Sequence, residues 1–107
     1  MTAQLQAILS ELHLRLAQVY GARLEKLVLY GSRARGDAEP DSDIDVLVVL
    51  KGGKERSPDE KRRTSELRAE ICLRNSVVIS LMYVSVDDYH HDDEPLLMNA
   101  RREGIEI

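Results

Sequence analysis

Five consecutive apolar residues, Val46-Leu47-Val48-Val49-Leu50, decide the architecture of this chain before any other stretch does. Successive side chains of a strand point to opposite faces, so a run that is apolar at every position needs cover on both sides. Asp43-Ile44-Asp45 leads into the run, and Asp43–Leu50 is predicted as a strand central to a sheet. The flanking segments supply its neighbours. Leu5, Ile8, Leu9, Leu12, Leu16 and Val19 recur at helical spacing between Thr2 and Tyr20, and Gly21 is a natural stop. Leu24–Tyr30 reads as a short strand ended by Gly31. Residues Ser32–Ser42, which include Gly36 and Pro40, read as a loop with one helical turn at Arg33–Arg35. Ser57-Pro58-Asp59-Glu60 is a helix start of the capping-box type, and the helix runs to about Arg74, burying Leu67 and Ile71. Val77–Val84 is a third strand, Ser85–Tyr89 a capped helical turn, and Pro95–Glu103 a last helix closed by Gly104. The order α-β-β-α-β-α describes an α/β (α+β) chain, a small mixed sheet with helices packed on it.

Length and composition narrow the range of functions. A chain of 107 residues is expected to form one domain, residues 1–107, with a single core. Phe and Trp are absent, so Leu, Ile and Val have to fill the interior. The net charge of -4 argues against direct nucleic-acid binding, because that affinity rests on Lys and Arg neutralising phosphates. Cys72 is the only cysteine, which excludes an internal disulfide and a multi-cysteine zinc site. No apolar run is long enough to span a bilayer and the N-terminus has no basic-then-apolar signal pattern, so no membrane role and a cytoplasmic location are expected.

The stretch that carries chemistry is GSRARGDAEPDSDID, Gly31 to Asp45. Asp43 and Asp45 are two apart on a strand, so both leave one face while Ile44 enters the core. Two such carboxylates can lean together onto Mg²⁺, an ion usually shared between one or two carboxylates and substrate phosphates. Gly31, lacking a Cβ, lets backbone N–H groups approach an anion closely, and Ser32 adds a hydroxyl donor. If the two strands pair antiparallel, the Gly-Ser turn and the Asp pair share one end of the sheet. A phosphate cradle then faces a metal site, the minimum required for nucleotidyl transfer.

Gly31-Ser32, ten intervening residues and Asp43-x-Asp45 resemble the signature of the DNA-polymerase-β-like nucleotidyltransferases. GSRARG, DSDID and the Arg102-Glu103-Gly104 near the C-terminus look most like the minimal nucleotidyltransferases (MNT) encoded beside HEPN-domain proteins. The resemblance covers nearly the whole chain, its sharp part only Gly31 to Asp45. It implies the nucleotidyltransferase fold and an antitoxin that moves AMP from ATP to a tyrosine of a partner HEPN toxin. Gly31 and Ser32 would bind the triphosphate, and Asp43 and Asp45 would hold Mg²⁺ and act as the catalytic pair. Larger members carry a third carboxylate on the next strand; Ser80 occupies the matching place here and cannot act as one. The general base is therefore unassigned, and a non-catalytic antitoxin that neutralises its partner by contact is the alternative. A small-molecule acceptor is disfavoured, because enzymes of that kind resemble this core plus a further domain.

Other residues are weighed individually. Arg33 is a candidate for binding the nucleotide phosphates, whereas Arg35 reads as a solvated loop arginine. Asp41 reads as a turn residue. His90-His91 with Asp92, Asp93 and Glu94 reads as a solvated acidic loop, since adjacent side chains diverge and no distant ligand is evident. Cys72 reads as a small core filler. The mixed-charge stretch Lys51–Arg74 reads as a solvated face with capacity for docking. The sequence leaves self-association open, a homo-oligomer being allowed and not required.

Overall fold

The computed structural model describes residues 1–39 and 41–107; Pro40, assigned above to the loop, lies outside the described residues. Helix α1 spans Ala3–Tyr20, strand β1 Leu24–Tyr30, the short helix α2 Ser32–Arg35, and strand β2 Ile44–Leu50. Helix α3 spans Pro58–Asn75, strand β3 Ile79–Ser85, helix α4 Val86–His91, helix α5 Pro95–Glu103, and strand β4 Ile105–Glu106. A 3₁₀ turn, Gly21–Arg23, joins α1 to β1. The sheet order is β3-β2-β1-β4, with β1 antiparallel to both β2 and β4 and β2 parallel to β3. This is the expected mixed sheet with helices packed on it.

The apolar run explains the layering. Val46 to Leu50 are all completely buried, and their alternation feeds two cores. Ile44, Val46, Val48 and Leu50 pack with Leu12 and Leu16 of α1 and with Leu67 and Ile71 of α3. Leu47 and Val49 pack on the opposite face with Tyr89 of α4 and with Leu97 and Ala100 of α5.

Most helix ends follow the side chains expected to set them. Thr2 caps α1 through Leu5 N–H at 3.1 Å. Ser57 and Glu60 close a reciprocal capping box on α3, at 3.0 and 2.8 Å. Ser85 caps α4 through Asp88 N–H, and α4 extends past Tyr89 to include His90 and His91, both exposed. Asp41 lies in an exposed turn. Cys72 packs against the larger core, and its sulfur also accepts from Ile79 N–H at 3.3 Å. No helix among the described residues is long and apolar enough to cross a membrane.

Candidate active site

The antiparallel pairing of β1 and β2 sets Tyr30 opposite Asp45, so the residue after β1 and the start of β2 meet at one end of the sheet. Gly31 there has φ +75°, a backbone state that favours glycine. A Cβ at Gly31 would stand 2.7 Å from Oδ2 of Asp45. The glycine therefore lies directly against the carboxylate, and the two halves of the motif form one site.

Asp45 is partly buried and Asp43, just before the strand, is exposed, while Ile44 between them is sealed in the core. Burial raises the Asp45 carboxyl above its ordinary value, and the neighbouring Asp43 charge raises it further. Burial, then the Asp45 charge, does the same to the Tyr30 phenol. Among the described residues no third His, Cys, Asp or Glu joins the pair. Two neighbouring carboxylates are the kind of donor set that would hold a Mg²⁺ ion taking its remaining ligands from phosphates and water.

Ser32 opens α2, which turns back on itself through Ala34 N–H and Arg35 N–H bonds to the Gly31 carbonyl. Arg33 donates from Nε and Nη2 to the Ser42 carbonyl, at 3.2 and 2.6 Å. Its guanidinium thus ties the cradle turn to the residue preceding Asp43. Arg35 is half exposed and pairs with Asp37 and Glu103 at the surface. Ser80 lies beside Asp45 in the β2–β3 register, so the next strand offers a hydroxyl where a carboxylate would stand.

Two features went unnoticed in the sequence. A cleft of about 110 Å³ beside Gly31 is walled by Tyr30 and by Asn99 and Glu103 of α5; only their four-residue spacing on a helix could have hinted at it. A larger groove of about 420 Å³ runs between α3 and β3, with Asp43 at its rim and Arg56, Arg68 and Tyr83 in its walls.

Residues 9–90 match the family model described as a nucleotidyltransferase domain. This chain belongs to that family. The nucleotidyltransferase is 29% identical over 73 residues to a candidate protein adenylyltransferase of Methanocaldococcus jannaschii, covering 68% of this chain and 72% of the relative. Its fold is that of a solved candidate minimal nucleotidyltransferase, with TM-score 0.62 and 22% identity over 96% of this chain and 92% of the other. A toxin–antitoxin structure with AMP-PNP shares the fold at TM-score 0.60 and 17% identity, over 90% of this chain and 69% of that one.

Proposed function

We propose that this nucleotidyltransferase moves AMP from ATP to a tyrosine hydroxyl of a partner HEPN-domain toxin in the cytoplasm, acting as its antitoxin. The observation that carries the reading is Gly31 lying directly against the Asp45 carboxylate, so that the turn after β1 and the acidic pair form one site. The adenylyltransferase relative and the toxin–antitoxin fold neighbour support the reaction class and the kind of partner. Gly31 and Ser32 hold the triphosphate, Arg33 fixes the turn that presents them, and Asp43 and Asp45 hold Mg²⁺ and form the catalytic pair. When bound, that ion supplies charge neutralisation to the phosphates. The phenolic oxygen bonds to the α-phosphorus as the α–β bridging P–O bond breaks. Pyrophosphate leaves with that electron pair, and the phenolic proton passes to water. A tyrosine, with a pKa of about 10, needs less help in losing its proton than an aliphatic alcohol does. That suits a site with Ser80 in the third position.

Intact-mass analysis of a partner co-expressed from the same operon tests this. An AMP adduct is expected with the wild-type chain and none with Asp43→Asn. Equal silencing of an unmodified partner by both proteins would establish inhibition by contact instead.

A further inference from the structure

Strand β3 is an edge of the sheet, and its outer side is only partly closed. The Val78 carbonyl accepts from Ile44 N–H at 2.9 Å, which sets the phase of the parallel ladder. Ser80, Met82 and Val84 then turn their backbone groups toward β2, and Ile79, Leu81 and Tyr83 turn theirs outward. Both outward groups of Ile79 are taken by α3: its N–H by the Cys72 sulfur, its carbonyl by Arg68 Nη1 at 2.8 Å. Among the described residues, the outward N–H and carbonyl groups of Leu81 and Tyr83 have no such partner.

The groove between β3 and α3 runs along this edge, with the side chains of Leu81 and Tyr83 among its walls. Arg56 lies over the Tyr83 ring, 3.6 Å from its centre. Arg56 and Arg68 have no carboxylate partner among the described residues, whereas Arg15, Arg23, Arg62, Arg63 and Arg74 all do. An otherwise acidic chain thus presents two uncompensated cations beside an open strand edge. Asp43 at the groove's rim connects it to the proposed metal site.

We infer that an extended, acidic segment of the partner polypeptide adds to β3 at Leu81–Tyr83 and delivers the acceptor hydroxyl along this groove. Strand addition draws affinity from main-chain hydrogen bonds and specificity from adjoining pockets. The direction of approach follows from the reaction. Attacking and leaving oxygens lie roughly in line across the transferred phosphorus. Gly31 follows β1 on one side of β2, so an acceptor opposite the departing pyrophosphate enters from the β3 side. The capping of Ile79 by α3 ends the pairing early, so the segment leaves the edge there and passes over Ser80 toward Asp43. The orientation of transfer rests on the function proposed above; the docking edge does not.

The test uses a random copolymer of glutamate and tyrosine as probe, with a copolymer of lysine and tyrosine as its counterpart and no nucleotide present. Hydrogen exchange at the Leu81 and Tyr83 amides should slow on adding the acidic copolymer and stay unchanged with the basic one. Leu81→Pro, which removes an edge N–H that β2 does not use, should abolish the binding. Arg56→Gln leaves the backbone donors and acceptors of β3 in place and should weaken binding at least about tenfold, the loss expected for a charge-assisted hydrogen bond. Four results would overturn the inference: no protection, equal protection by both copolymers, protection on raising protein concentration alone (a second copy on the edge), or protection by Mg·ATP alone (the nucleotide in the groove). Titration with Mg·ATP tests the function separately. Protected amides without ATP binding would sink the transferase reading and leave the docking edge standing.

Discussion

A methyl group on Gly31 would have to share space with the Asp45 carboxylate, and the backbone there already has φ +75°. Gly31→Ala is therefore expected to cost about 1–3 kcal/mol in stability, the range for a non-glycine residue in the left-handed region. It should also push the carboxylate out of place, so that calorimetric titration shows Mg·ATP affinity falling sharply. A folded Gly31→Ala protein that binds Mg·ATP as wild type does would move the phosphates elsewhere. Asp43→Asn with Asp45→Asn removes a repulsive pair and should keep the fold, by thermal melting, while binding of Mg·ATP is lost. The juxtaposition of Gly31 and Asp45 was legible in sequence because antiparallel pairing of two strands joined by one loop brings their facing ends together. Arg33 was legible only as a cation. Its hold on the Ser42 carbonyl depends on how the loop folds back, which no spacing rule reveals.

Helix α3 begins at a capping box that also reaches across the molecule, because Arg23 donates to both oxygens of Glu60, at 3.1 and 2.9 Å. The Ser57 backbone N–H chiefly, then Arg23, holds the Glu60 carboxyl below its ordinary value against an opposing effect of burial. A depressed folded pKa means stability that is complete above the unfolded value of about 4.3 and is lost as pH falls through the folded value. Urea midpoints measured from pH 7 down to pH 3 should thus decline in the wild type, and Glu60→Gln should flatten that decline. Ser57→Ala should cost about 1 kcal/mol at neutral pH, read from the same midpoints. Elements with caps or long periodic stripes were placed within a residue or two from sequence. Strand β3 starts at Ile79 rather than at Val77, because Val77 N–H closes the end of α3 on the Cys72 carbonyl. Strand β4 was missed. Two residues give no period, and Ile105–Glu106 forms a strand only because β1 offers an open edge.

Across the whole molecule, one strand supports two unequal cores: α1 and α3 cover one face of β2, and the shorter α4 and α5 cover the other. Leu47 points into the smaller core and is completely buried, so Leu47→Ala should cost about 2–5 kcal/mol, measured by chemical denaturation. The layering could be read in advance from the unbroken Val46–Leu50 run, but which helix covers which face could not, since that depends on chain crossings rather than composition. One tie in this architecture bears on how the chain tolerates change. Because Arg33 fastens to Ser42, those two residues are held together across the segment between them, and Asp37 within it is exposed. Closing a longer loop costs only about 0.6 kcal/mol for each doubling of its length. A reporter peptide spliced between Asp37 and Ala38 should accordingly leave the spacing of cradle and carboxylates intact. The same splice in an Arg33→Ala background should loosen Ser42 and Asp43, while the β1–β2 pairing still holds Gly31 beside Asp45. This makes the junction of Asp37 and Ala38 a natural place to tag, lengthen or diversify the molecule beside its candidate site.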